Sequence, residues 1–119
     1  MKIIHLSENN SILNRFIAEI RDQKIQKDSM RFRRNLERIG EIFAYEISKT
    51  LEYTATDVTT PLGIAQCNLP ENEIVVSTIL RAGLPLHAGI LNYFDRAQNA
   101  FVAAYRKYGK DNKFTIQFE

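Results

Sequence analysis

"VVSTILRAGLPLHAGI", Val75 to Ile90, is the stretch on which the fold turns. An apolar, β-branched run stops at Arg81, turns on Ala82-Gly83 and resumes with helical spacing. Glu73–Leu80 lacks clean alternation, which predicts a strand covered on both faces. Leu84, His87, Leu91 and Phe94, beside Leu86, Ile90 and Tyr93, predict a helix from Gly83 to about Asp95. "NAFVAAY", Asn99 to Tyr105, is a second short apolar strand. Strand, helix of about three turns, strand is a βαβ crossover, parallel and right-handed by rule.

The chemistry of such a unit sits outside the carboxyl ends of its strands. Arg81 directly follows the first predicted strand and Arg106 the second, 25 positions apart (106 − 81). Parallel strands bring both to one edge of the sheet, where the helix after Gly83 also begins. A helix N-terminus offers free N–H groups and a positive dipole end to an anion. Gly83 lets a ligand approach the backbone and permits an unusual φ. Arginine is the side chain suited to bidentate phosphate contact. A lone arginine here reads as a salt bridge or a solvated strand end. Two arginines at one edge make an anion site an equal alternative. No Lys-Ser/Thr follows the glycine, so this is not a P-loop, and Gly83 and Gly89 lack the dinucleotide-fingerprint spacing.

Upstream, Lys2–Leu6 reads as a short strand. Ser7–Asn10 offers capping side chains, and Ile12, Leu13, Phe16, Ile17 and Ile20 mark a helix. Asp22–Asp28 is a polar link. A longer helix runs from about Met30 to Leu51, capped by Asp28 or Ser29, with Phe32, Leu36, Ile39, Phe43 and Ile47 as its apolar stripe. Lys27, Arg31, Arg34 and Arg38 form a basic stripe roughly opposite. Glu52–Thr60 and Ile64–Asn68 flank Pro61-Leu62-Gly63 and predict an antiparallel hairpin. Tyr108–Lys113 is a polar loop, and "FTIQFE", Phe114 to Glu119, alternates like an edge strand.

With 119 residues, 45% hydrophobic and 25% charged, the composition is that of one folded domain. The net charge of +2 does not predict nucleic-acid binding. Seven basic and three acidic residues between Arg21 and Arg38 give that segment +4 (7 − 3), leaving the rest at −2 (2 − 4). Tyrosines are not interleaved with the basic stripe, which argues against an RNA platform. The stripe reads most simply as a solvated helix face. The sequence offers no apolar run of the roughly 20 residues a membrane span needs, and no signal-peptide core. Cys67 is the single cysteine, so no disulfide forms within the chain and a reducing, cytoplasmic setting is expected. Cys67 reads as a small hydrophobe in the hairpin, His87 as a partly buried or solvated helix residue, and His5 has no visible partner. A two-stranded parallel core is short of members. The sheet is therefore expected to be incomplete, belonging to a longer fold or completed by a partner.

"STILRAGLPLHAGILNYFDRAQNAFVAAYRKYG" resembles the uracil phosphoribosyltransferase family, which carries an Ile-Leu-Arg-Ala-Gly-Leu segment after a core strand and a Tyr-Arg pair, here Tyr105-Arg106, after the next. "RFRRNLERIGEIFAYEISKTL" is similar to the family's early helix, ending in Tyr45-Glu46, and "VTTPLG" to its hairpin. The resemblance runs over essentially the whole chain. It implies an α/β fold: the N-terminal part of a phosphoribosyltransferase-type, Rossmann-like parallel sheet with N-terminal helices and a β-hairpin, residues 1–119 forming a single partial domain. It implies transfer of a phosphoribosyl group from phosphoribosyl pyrophosphate (PRPP) to uracil, giving UMP and pyrophosphate, with Mg2+ accompanying PRPP. Arg81, Ala82 and Gly83 match the pyrophosphate-holding loop, and Arg106 an arginine that contacts PRPP. The acidic strand end with its Thr-Gly-Gly turn and the uracil-reading segment are absent here and expected after Glu119. The expectations are little turnover by this chain alone, no catalytic residue within it, and a homo-oligomer, dimer or higher. The alternatives are a non-catalytic PRPP- or nucleotide-binding or partner-completing module, and a basic-helix nucleic-acid binder.

Overall fold

The computed structural model describes residues 1–109 and 113–119. Half of the expected polar loop at Tyr108–Lys113, positions 110–112, lies outside the described residues, and its first residue, Tyr108, is instead the last of a strand. Among the described residues three α-helices and five strands run in order: α1 Leu13–Arg21, α2 Ser29–Ser48, β1 Tyr53–Thr60, β2 Gly63–Pro70, β3 Val75–Leu80, α3 Leu84–Tyr93, β4 Gln98–Tyr108 and β5 Phe114–Phe118.

Local chemistry sets the helix starts. Asp22 accepts from the backbone N–H of Lys24 at 2.8 Å and of Ile25 at 2.9 Å, turning the chain into a short 3-10 segment, Ile25–Lys27. Those two N–H groups, Ile25 first, hold the Asp22 carboxyl below the usual carboxylate range. Asp28 then accepts from Arg31 N at 3.1 Å and caps α2, which satisfies one of the orphan donors of the first turn. The buried positions of α2 are Asn35, Ile39, Gly40 and Ala44. This corrects the predicted stripe: Ile39 alone of those five residues is fully buried, and Ile47 is exposed. The reason is that α2 packs between α1 and α3, so two narrow faces are covered rather than one broad one.

The expected first strand, Lys2–Leu6, is not formed; residues 1–5 are irregular and Leu6–Glu8 makes a 3-10 turn. A strand needs a pairing partner, and this segment finds helices instead. Ile4 and Leu6 lie with Leu13, Ile17, Phe43 and Ile47 around an apolar cleft of about 470 Å³.

β1 and β2 form the predicted hairpin, antiparallel from Tyr53↔Pro70 to Thr60↔Gly63 around Pro61-Leu62. It projects as an arm with most of its residues exposed on both faces. The radius of gyration is accordingly 19.0 Å, with extents of 69 × 34 × 30 Å. A compact chain of this length would have roughly 13–14 Å.

β3, β4 and β5 make the second sheet, in that order. β3 and β4 are parallel, from Val75↔Gln98 to Leu80↔Ala103, which is the predicted βαβ unit. β5 pairs antiparallel with the far end of β4, from Ala104↔Phe118 to Tyr108↔Phe114. Coverage on both faces of β3 is not what the structure shows. Val76 is buried, while Val75 and Ile79 are 61% and 55% exposed. Val76, Thr78 and Leu80 share the face under α3. The opposite face carries no helix among the described residues. The architecture is thus α/β with a partly parallel, incomplete sheet, layered from α1 through α2 and α3 to one face of β3–β4–β5.

Candidate anion site at the carboxyl end of the parallel strands

β3 ends at Leu80, and the next three residues turn the chain into α3. Gly83 N–H donates to Ile79 O at 3.1 Å, Leu84 N–H to Arg81 O at 3.2 Å and His87 N–H to Gly83 O at 3.0 Å. The Leu80–Arg81 peptide is cis. Arg81 and Ala82 are exposed at this corner. Gly83 is the N-cap of α3, no side chain caps that end, and Pro85 lies in the first turn. Arg81, Ala82 and Gly83 therefore share one exposed turn at a helix N-terminus, beside the carboxyl end of a parallel strand.

The role expected for Gly83 needs correction. Its φ of −74° is ordinary for any residue, so an unusual backbone angle is not the reason for glycine. The reason is close approach. A Cβ would collide with Thr78 Oγ1 and stand 2.9 Å from Ile79 O. Thr78, on the α3 side of β3, sits directly beneath the turn. It escaped the sequence reading, although a hydroxyl two positions before the strand end was its one signal.

Arg106 does not follow its strand. β4 continues to Tyr108 because β5 pairs with its last five residues, so Arg106 lies inside the ladder opposite Ile116. Its guanidinium stacks 5.0 Å over the Phe114 ring. Register places it three residues beyond Ala103, the partner of Leu80. At about 3.3 Å per residue this is roughly 10 Å further along the strand axis. By alternation it belongs to the uncovered face, together with Ala104 and Tyr108. Both arginines are at the same end of the parallel pair, at different heights.

His87 is 6% exposed, more buried than the partly buried or solvated helix residue expected. Its Nε2 and Asn99 Oδ1 lie 2.7 Å apart, and its ring is 5.2 Å from that of Phe101. It fastens α3 to β4. His5 lines the N-terminal cleft, and Cys67 is a half-buried free thiol in the hairpin.

The basic stripe is largely engaged within the helices. Arg31 lies 3.6 Å from Glu19 and 3.8 Å from Asp28, and Arg34 is 2.7 Å from Glu37. Arg38 donates to Asn35 Oδ1 at 2.9 Å and stacks 5.4 Å over Phe16. The Arg34 guanidinium, and then the Asn92 amide, hold the Glu37 carboxyl below the usual carboxylate range. Among the described residues, no three His, Cys, Asp or Glu side chains cluster to hold a metal, and no helix is long and apolar enough to cross a membrane.

The chain as a whole is similar to known proteins. A family model described as uracil phosphoribosyltransferase matches residues 7–116. The uracil phosphoribosyltransferase of Porphyromonas gingivalis strain W83 is 56% identical over 119 residues, all of this chain and 55% of that protein. That of Thermococcus gammatolerans is 32% identical over 116 residues, 96% of this chain and 50% of the relative. That of Sulfolobus acidocaldarius is 39% identical over 100 residues, covering 81% and 45%. In fold, the chain is similar to the AQ2163 protein from Aquifex aeolicus, with a TM-score of 0.67, 22% identity, and coverage of 92% of this chain and 51% of the other. The chain spans about half the length of the curated relatives it matches.

Proposed function

The chain belongs to the uracil phosphoribosyltransferase family, and on that premise we propose that it serves pyrimidine salvage by holding the pyrophosphate end of PRPP during transfer of the phosphoribosyl group to uracil. The observation that carries this reading is the Arg81-Ala82-Gly83 turn. It is exposed, it ends a parallel strand, and it opens a helix whose N-terminus no side chain caps.

The chemistry follows from charge. When the bond between ribose C1 and the pyrophosphate oxygen breaks, negative charge grows on the leaving group. The Arg81 guanidinium and backbone N–H donors at the turn and the start of α3 bind that charge more tightly in the transition state than in the ground state, which lowers the barrier. Arg106, further along β4, reaches the substrate from the uncovered face. Its stacking on Phe114 orients the guanidinium before any ligand arrives. Gly83 keeps the turn against Thr78, so the donors stay in place. No side chain of this chain is assigned to proton transfer.

Among the described residues no three His, Cys, Asp or Glu side chains cluster to hold Mg2+, and this corner offers the Arg81 guanidinium and the Thr78 hydroxyl. We assign Mg2+ to the substrate, arriving with PRPP, and route no step through it. The oligomeric state of the resemblance fits the projecting hairpin, a two-stranded sheet that pairs with no third strand among the described residues, whereas an isolated hairpin needs one, or a packed helix, for stability in water. A second copy covering the arm would supply that contact.

Calorimetric titration of the chain with PRPP tests the reading. Saturable heat is expected for the wild type, weakened roughly 10- to 100-fold by Arg81→Gln, the effect of losing one charge-assisted contact. Absence of heat in both proteins overturns it. A partner-completing role is the second reading, favoured by the uncovered sheet face.

A further inference from the structure

A second recess lies at the amino ends of β3 and β4. β3 is six residues long, so this end is roughly 20 Å from the turn at Arg81. The β2–β3 link, the α3–β4 link and the end of α2 enclose a cavity of about 670 Å³ there. That volume falls in the range of small-molecule sites.

Both links are pinned. Glu71 N–H donates to Glu52 O at 3.0 Å and Glu52 N–H to Asn72 Oδ1 at 2.7 Å, which ties the β2–β3 link to the chain leaving α2. Gln98 N–H donates to Ile74 O at 2.9 Å and Ala97 N–H to Phe94 O at 3.0 Å, which ties the α3–β4 link to the start of β3. A recess with walls held in this way exists before a ligand arrives, so binding there costs little ordering.

The lining selects the ligand. Leu51, Ile74 and Phe94 are half-buried and supply an apolar floor. Tyr93 also lines the recess and is 54% exposed, and an aromatic face attracts a cation. The charged residues on the walls are Glu71, Glu73, Asp95 and Arg96, a net of −2 (1 − 3) on a chain that carries +2 overall. Glu71 accepts from the Thr54 hydroxyl at 2.6 Å. Among the described residues Glu73, Asp95 and Arg96 form no ion pair, so the two carboxylates are not neutralised by the guanidinium that shares the recess. α3 ends here with no basic residue in its last turn, and the negative end of its dipole adds to the carboxylates.

We propose that this recess binds a small organic cation: a primary ammonium group on an apolar or aromatic stem. The stem lies against Leu51, Ile74 and Phe94, and the ammonium meets Glu73 and Asp95. A neutral molecule of the same shape gains the stem contacts alone, and an anion is repelled. The site is remote from the Arg81 turn and does not rest on the PRPP reading.

Backbone-amide NMR spectra of the 119-residue chain test this at neutral pH, in titrations with phenethylamine, phenethyl alcohol and phenylacetate. Saturable shifts are expected with phenethylamine at Ile74, Asp95, Ala97 and Gln98. Its dissociation constant is expected to be at least about 10-fold below that of the alcohol, the effect of one charge-assisted contact. Phenylacetate is expected to move none of these amides. Glu73→Gln combined with Asp95→Asn is expected to bring phenethylamine down to the affinity of the alcohol. Both side chains are exposed, so the rest of the spectrum stays as in the wild type. Equal affinity for amine and alcohol, a preference for phenylacetate, or unchanged binding in the double variant overturns the proposal. So does the absence of saturable shifts with phenethylamine, or their confinement to the N-terminal cleft.

Discussion

Asn35 is fully buried in the middle of a helix, where an unpaired amide is costly. It is paired on both sides: Nδ2 donates to Glu19 Oε2 at 2.7 Å and Oδ1 accepts from Arg38 at 2.9 Å. One amide thus joins α1 to α2 and turns part of the basic stripe inward. Replacing it by Ala leaves two charged groups short of a partner. Asn35→Ala is therefore expected to lower stability by about 1–3 kcal/mol, read as a lower midpoint in thermal melts. Arg81 and Gly83 stood out in the sequence because each interrupts an apolar run. Asn35, Thr78 and Asn99 did not, since their meaning comes from partners brought close by folding: Glu19 sixteen residues away, the turn at Gly83, and His87. Arg106 was found as a residue but misplaced, because β5 lengthens its strand.

α3 is held by close contact on one side and a polar clasp beside it. Gly89 lies so near α2 that a Cβ would collide with Glu37 O, and a Cβ on Gly40 would collide with Leu86 O. Glycine at both places brings the two backbones together and fixes where α3 begins. Gly89→Ala is expected to cost about 1–3 kcal/mol through overpacking, a fall in melting temperature of roughly 4–8 °C per kcal/mol. Beside this contact, Asn92 Nδ2 donates to Glu37 at 3.1 Å and to Glu41 at 2.8 Å. Glu37 has a depressed pKa, with Arg34 the first cause and Asn92 the second. Its contribution to stability is therefore present above the unfolded value of about 4.3 and is lost as pH falls through the lower folded value. Glu37→Gln should flatten that acid limb, measured as melting temperature against pH from about 6 downward; an unchanged slope would remove Glu37 from the account. Helix and strand identities in this layer followed from periodicity and β-branching. The N-terminal segment did not, because Lys2–Leu6 has strand composition but meets helices rather than a strand edge.

At the scale of the molecule, a helix-covered sheet, incomplete among the described residues, carries a projecting hairpin arm. The βαβ unit, the hairpin and the incompleteness of the sheet were legible from spacing and turn chemistry. Which face of the sheet stays bare was not, since β3 is apolar on both sides and its sequence reads as buried throughout. The structure assigns α3 to one face and, among the described residues, leaves the other open, with Arg106 on the open side and Arg81 at the turn. These positions underlie the proposal that the turn at Arg81 holds the pyrophosphate end of PRPP. The most direct test is a single ³¹P NMR spectrum of PRPP with uracil, Mg2+ and the 119-residue chain. The two pyrophosphate resonances of PRPP are expected to shift or broaden on adding protein, more than the 5′-phosphate resonance, without free pyrophosphate accumulating. Unmoved pyrophosphate lines, or free pyrophosphate appearing with UMP at an enzyme-like rate, would contradict it.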